Sequence, residues 1–218
     1  TQTLNDRMAE LIRQKIVHGE FTPGQRLSEA ALSESLEISR NTLREVFRLL
    51  TKEGLLKHEP NRGVFVAIPS IASIIDIYRV RRLIECQALA QAYPRHPAKK
   101  HLRDAVEMAL RCRDAGDWQG VGTANMEFHM AIVELADSER LNVMFSHLLA
   151  ELRLAFGLLN DPEFLHMPYV EMNVNILELF EAGKLQEAAA ALNEYLVHSE
   201  RIVLAVYARR ISDSGTPK

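Results

Sequence analysis

A chain of 218 residues, 47% hydrophobic and 25% charged, has the composition of an ordinary water-soluble protein with room for one large domain or two modest ones. No apolar run approaches the roughly 18 residues that suggest a membrane-spanning helix. The net charge of −3 argues against indiscriminate coating of nucleic acid. That charge is divided unevenly. Residues 1–66 hold 10 Lys/Arg against 9 Asp/Glu, a net of +1, and residues 67–218 hold 16 against 20, a net of −4. Within 40–62 the balance is six basic to three acidic, so positive charge is focused on one segment.

In chain order, residues 4–18 place Leu4, Met8, Leu11, Ile12, Lys15 and Ile16 at helical spacing, closed by Gly19. The segment is amphipathic and rich in charge, so a helix is expected there and not a signal peptide. Pro23-Gly24 marks a turn. A short helix is predicted from Ser28 to Leu36, and Glu37-Ile38 turn into the next one. There Ser39 is a good N-cap, and Arg40, Arg44 and Arg48 recur every four residues on one side. Leu43, Val46, Phe47 and Leu50 fall on the other side, and Gly54 stops the helix. A cationic stripe opening at a helix N-terminus and backed by an apolar face suits the DNA major groove. Two short strands follow at 55–58 and 63–67, with Glu59 to Gly63 as a wing.

Beyond Pro69-Ser70 only helical periodicity remains, over about 71–93, 98–114, 118–136, 139–158, 168–182 and 184–210. Pro94, Pro97, Gly116, Asp137-Ser138, Asp161-Pro162 and Gly183 supply the breaks. The predicted fold is therefore mostly α. It is an N-terminal winged helix-turn-helix (1–68), an antiparallel bundle of about six helices (69–211) and a disordered tail (212–218). Cys86 and Cys112 lie within helical patterns and form no disulfide framework. They are expected to be reduced core thiols of a cytoplasmic protein. No Ser/His/Asp set and no phosphate-binding glycine loop stands out, so catalysis is not expected.

The first 66 residues resemble the DNA-binding domain of the GntR family. The likeness rests on Pro23-Gly24 with Leu27, Ser39-Arg40, Leu43-Arg44-Glu45, Glu53-Gly54-Leu55 and Gly63 to Val66. The remainder resembles the FCD-type ligand domain of the FadR subfamily, on Arg81 to Glu85 after Ile77-Tyr78, on Phe128 to Ile132 and on Ala182 to Ala189. The resemblance implies a homodimeric, ligand-controlled transcription regulator or repressor on a near-palindromic operator. It puts Arg40 and Arg44 on bases or phosphates and Ser39, Asn41 and Thr42 at the start of the reading helix; Arg48, two turns in, either touches phosphate or pairs with Glu45. Asn61, Arg62 and Gly63 fall at a wing tip in the minor groove. Many relatives have Thr-Pro at Asn41-Thr42, and some carry an arginine at Ala30 that this chain lacks.

Many FCD domains hold a divalent metal with one aspartate and three histidines. By resemblance those positions are Asn125, His129, Asn173 and Tyr195, so His129 is the one ligand kept and no metal or other cofactor is expected. His147, His166 and His198 stand either as substitutes or as surface and capped histidines. The four positions instead suggest a polar pocket for a small organic effector, expected to be a carboxylate. Arg81 and Arg153 are the candidate clamps. The alternatives are an Arg81–Glu85 salt bridge one turn apart and a surface pair for Arg153. A regulator that binds DNA constitutively, its sensing lost, is the other reading. The expected partners are double-stranded DNA, an effector and a second copy of the chain, with no membrane.

Overall fold

The computed structural model describes residues 2–214, which fall into two compact units. The first comprises residues up to Pro69 together with 149–158. The second comprises Ser70–Leu148 and the residues from Leu159 onward. Among the described residues no helix is long and apolar enough to cross a membrane.

The first unit is a winged helix-turn-helix. It contains α1 (Leu4–Val17), β1 (Arg26–Leu27), α2 (Glu29–Ser35), α3 (Arg40–Lys52), β2 (Leu56–Glu59) and β3 (Gly63–Val66). A capping box between Thr3 and Asp6 opens α1. Ala9, Ile12 and Ile16 of α1 meet Leu43, Val46, Phe47 and Leu50 of α3 in one core. A fully buried side chain of this kind contributes roughly 1.5–3 kcal/mol. Arg13 of α1 forks onto Glu53 at the end of α3, at 2.9 Å to Oε1. The C-terminus of α3 closes as the periodicity predicts. Gly54 sits at φ +80°, and Leu55 N–H reaches back to Leu50 C=O at 3.0 Å.

Two features of this unit depart from the sequence reading. The wing is a three-stranded antiparallel sheet in the order β1-β3-β2, not a lone hairpin. Arg26 pairs with Phe65 and Leu27 with Val64, while Leu56 to Glu59 pair with Val66 to Gly63. A two-residue strand carries no period, so β1 left no trace in the pattern. Ala150 and Leu154 also join the core of this unit, although helical spacing assigns 139–158 as a whole to the bundle.

The second unit contains α4 (Ile71–Ala90), α5 (Lys99–Asp114), α6 (Trp118–Glu134), residues 139–148 of α7 (Glu139–Gly157), α8 (Pro162–Glu181) and α9 (Leu185–Ser214). α6 packs against α4, α5 and α8, and α9 against α4 and α8. α6 is buried almost all round, from Val121 to Met126 and again at Phe128, His129 and Ala131 to Val133. A helix apolar on every side belongs in the middle of a bundle.

The helix ends correct the sequence reading in places. α4 stops at Ala90 and not near 93. α8 begins at Pro162, where proline's missing N–H costs nothing, and Asp161 caps it by accepting from Phe164 N–H at 2.9 Å. The start at 168 is therefore six residues late, and Pro168 lies inside the helix. α9 runs to Ser214, so residues 212–214 of the expected tail are helical. Residues 215–218 lie outside the described residues.

Candidate nucleic-acid interface and polar interior

In the first unit, the backbone turns sharply into α3 at Glu37, whose φ is 53°. Ser39 then caps α3, its Oγ accepting from Thr42 N–H at 3.0 Å and lying 2.9 Å from Thr42 Oγ1. Arg40, Asn41, Arg44 and Arg48 stand exposed beyond it. The other face of α3 is buried at Leu43, Val46, Phe47 and Leu50. The Ser39→Ala variant is expected to lose about 0.5–2 kcal/mol of stability, read from a urea midpoint shift at constant slope. An unchanged midpoint removes the hydroxyl from the capping role.

The wing tip is built by two residues with positive φ, Asn61 at 62° and Gly63 at 113°. Asparagine tolerates this region and glycine occupies it freely. Arg62 extends between them, its guanidinium 5.5 Å from the Phe65 ring centroid. A groove of about 860 Å³ runs between α3 and the wing, lined among others by Arg26, Arg44, Arg48, Lys52, His58 and Gly63. The sequence reading omitted Arg26, Lys52 and His58 from this face. Lys52 continues the four-residue repeat of Arg40, Arg44 and Arg48, so its signal was present. Arg26 reaches the wing only through the short strand β1, which brings its Nε to within 3.1 Å of where a Cβ on Gly63 would stand.

Most of these arginines are held by carboxylates of the same unit. Arg44 pairs with Glu29 at 3.0 Å, Arg62 with Glu59 at 2.6 Å and Arg48 with Glu45. The arginine side chains stay 59%, 71% and 75% exposed respectively, so these are weak surface pairs that a phosphate can displace.

In the second unit the interior is polar where α4, α6, α8 and α9 converge. Arg81, Glu85, Asn125, His129, Asn173 and Tyr195 are all buried. Arg81 Nε donates to Glu85 Oε2 at 2.7 Å, and His129 Nδ1 lies 2.5 Å from Glu85 Oε1. Asn173 Nδ2 donates to Asn125 Oδ1 at 3.3 Å. The ring of Tyr195 lies 4.6 Å from that of His129 and 4.8 Å from that of Tyr169. Tyr78 stacks near Arg81 at 5.2 Å, and its hydroxyl lies 2.6 Å from that of Ser199.

The electrostatics follow from this geometry. Burial works against the charge on Glu85, but Arg81 and then His129 outweigh it and hold the carboxyl below its usual range. Burial likewise opposes the Arg81 charge, and Glu85 more than restores it. His129 is the reverse case. Burial outweighs the attraction of Glu85 and pulls the imidazole below 6.5. The ring nitrogen facing the ionised Glu85 carboxylate, Nδ1, is the one that carries a proton, since a carboxylate only accepts. Burial raises the phenols of Tyr195 and Tyr169.

A depressed histidine stabilises the fold at high pH and costs stability as pH falls. Unfolding free energy is therefore expected to drop below pH 6.5, by up to about 1.4 kcal/mol per pH unit for this one proton. Urea titrations between pH 7 and 5 check this. The His129→Gln variant is expected to show a slope shallower by one proton, and an identical slope rejects the assignment.

Of the two readings of Arg81, the ion pair with Glu85 is the one present. Arg81 is not a free clamp for a carboxylate ligand, because Glu85 already holds it. Arg153 belongs with residues 149–158 of the first unit, where burial alone lowers its pKa to about 10. The metal set does not fit either. His129 offers one nitrogen, Asn125 and Asn173 are neutral amides, Tyr195 is a protonated phenol, and Glu85 is engaged by Arg81 and His129. His198 lies 3.1 Å from the hydroxyl of Tyr169, and His166 is buried on α8. Among the described residues no three His, Cys, Asp or Glu groups come together to hold an ion. Three buried polar atoms have no hydrogen-bond partner in this interior: Asn125 Nδ2, His129 Nε2 and Asn173 Oδ1.

Residues 4–66 match the gntR family of bacterial regulatory proteins, and residues 76–198, more than half of the chain, match the FCD domain. The chain is 27% identical over 141 residues to the uncharacterized HTH-type transcriptional regulator YdhC of Bacillus subtilis, a match covering 62% of each. It is 35% identical over 92 residues to the HTH-type transcriptional repressor RspR of Escherichia coli, covering 42% of this chain and 40% of that one. The match thus spans less than two thirds of the length of these curated relatives. A crystal structure described as a GntR transcriptional regulator from Rhodococcus sp. RHA1 superposes with a TM-score of 0.87 at 35% identity, covering 93% of this chain and 98% of the other.

Proposed function

Because the chain belongs to the gntR family of bacterial regulatory proteins and carries an FCD domain, we propose that it is a transcription regulator which binds a near-palindromic operator as a homodimer and responds to a small organic effector in its helical unit. The observation that carries the DNA half is the exposed Arg40, Arg44 and Arg48 face of a capped helix that follows a helix-turn and precedes a wing. A face of this kind enters the major groove from the helix N-terminus. Ser39, Arg40, Asn41, Thr42 and Arg44 are assigned to base edges and nearby phosphates, and Arg48 to phosphate. Asn61, Arg62 and Gly63 are assigned to the minor groove. Arg26 adds charge at the wing root, four residues before Ala30, where some relatives carry an arginine.

Two recognition helices related by a twofold axis call for half-sites about one helical turn, roughly 10 bp, apart. Repression is the proposed outcome, in keeping with the name of the E. coli relative RspR. No catalytic step is assigned to the chain.

The effector half is supported by the three unpaired buried polar atoms beside the Arg81–Glu85–His129 cluster. A coupling free energy of roughly 1–3 kcal/mol changes operator affinity about 5–150-fold. Footprinting on the DNA upstream of the gene tests the DNA half. Two protected half-sites on one face of the duplex are expected, and protection without sequence preference overturns it. Repeating the titration with small-molecule mixtures tests the effector half. Operator affinity indifferent to every compound that binds the helical unit leaves a constitutive DNA binder.

A further inference from the structure

The groove between α3 and the wing carries more positive charge than its carboxylates cancel. Arg26, Arg44, Arg48 and Lys52 line it, against Glu29 as the one carboxylate among its lining residues. Glu29 is taken by Arg44 at 3.0 Å, and Glu45, from outside the groove, holds Arg48. Glu53, next to Lys52 in sequence, is forked by Arg13, and Glu59 of the wing is held by Arg62 and Lys57. Among the described residues Arg26 and Lys52 therefore keep no ion-pair partner, and both side chains are exposed.

The two cations stand on opposite walls. Lys52 is the last residue of α3, twelve positions after Arg40. At about 1.5 Å per residue that is roughly 18 Å along the helix. The major groove of DNA is only about 8.5 Å deep. A helix that enters with its N-terminus at the base edges therefore has its last turn at the level of the phosphates. Arg26 comes from β1, where it pairs with Phe65. Its guanidinium lies across Gly63, where an added Cβ would stand 3.1 Å from Nε and 3.4 Å from Nη2. The bare backbone of the glycine leaves the guanidinium room to lie along the groove.

We infer that this groove is a track for the sugar-phosphate backbone of one DNA strand, with Arg26 and Lys52 as its two phosphate contacts. The inference rests on the reading of α3 as the recognition helix and adds to it the residues that hold the backbone. A phosphate suits both groups, since guanidinium and ammonium only donate and no carboxylate has to be displaced first. Base edges do not, because Lys52 stands above them. The contribution is independent of sequence, and it comes from the release of one condensed counterion for each phosphate met.

The test is the salt dependence of DNA binding by the full-length chain. Fluorescence anisotropy follows it on the duplex protected in footprinting and on a scrambled duplex of the same length. The double variant Arg26→Gln with Lys52→Gln is expected to weaken binding to both duplexes by the same factor. It is expected to flatten the slope of log K against log salt by about 1.8, about 0.9 for each phosphate. Its deficit at about 50 mM salt is then about twelvefold smaller at about 200 mM. Each single variant is expected to show half the change in slope, so either suffices if the other disturbs the fold. The charge-keeping variant, Arg26→Lys with Lys52→Arg, is expected to retain the native slope.

A slope unchanged in the glutamine variant overturns the inference. So does a loss confined to the protected duplex, which makes the two residues base readers. A loss of slope shared by the charge-keeping variant overturns it too, because charge is then not what matters. The native chain separates this from the parent reading. If it finds its operator while the glutamine variant keeps the native slope, only the phosphate track falls. If it binds no duplex, the DNA reading falls and the track with it.

Discussion

The Glu85→Ala variant is expected to lose about 3–5 kcal/mol of unfolding free energy, because it leaves a buried guanidinium without its counter-charge. Arg81 and Glu85 are 3% and 0% exposed, so water cannot replace the missing carboxylate. His129 loses the acceptor for its Nδ1–H in the same step, which adds to the penalty. A native domain of this size is stable by only about 5–15 kcal/mol, so the variant sits near the edge of folding. The chain with both residues made apolar, Arg81→Met with Glu85→Leu, is expected to recover part of the loss. Removing the charge and its partner together abolishes the desolvation penalty, and only the stranded His129 N–H remains. Urea denaturation of the two variants decides the matter. A single-site loss below about 1 kcal/mol places the pair in the range of solvent-screened pairs and contradicts its burial.

At the DNA end, the Arg44→Ala variant is expected to weaken operator binding by about 1–3 kcal/mol if the guanidinium reads a base edge. Gel-shift titration at fixed salt measures it, and native affinity removes Arg44 from the interface. Substituting Arg48 tests a different role. A phosphate contact lowers affinity for every sequence alike and reduces the salt slope by about one. A base contact lowers it for the operator alone. Glu29 supplies a control, because it holds Arg44 at 3.0 Å. With Glu29→Gln, Arg44 is released, and affinity for unrelated DNA is expected to rise while operator preference narrows.

The reading helix was legible because three signals coincide there: a serine cap, a four-residue arginine repeat and a glycine stop. Each is local, and together they fix both faces of α3. The wing was only partly legible, since β2 and β3 alternate over four residues each while β1 has two. Pro162 misled for a related reason. Proline is read as a breaker, but in the first turn its missing N–H has no partner to lose.

The polar interior needed coordinates. Arg81 and Glu85 are visibly one turn apart in sequence, but nothing local distinguishes a ligand clamp from an ion pair. The third member, His129, lies 44 residues further on. Likewise the pairing of Asn125 with Asn173 spans 48 residues, so which amide atoms remain open depends on how α6 and α8 pack. The association of residues 149–158 with the first unit is of the same kind. Helical spacing says that they form a helix and is silent on what they bury against.

The carboxylates beside Arg44, Arg48 and Arg62 bear on how the protein finds its target. A guanidinium already matched by its own anion presents little net field to a passing duplex, so few condensed sodium or potassium ions are worth exchanging for it. On the proposed DNA-binding role, exchanging Glu29, Glu45 and Glu59 for phosphate oxygens is nearly an even trade, so each paired arginine adds less sequence-independent affinity than an unpaired one.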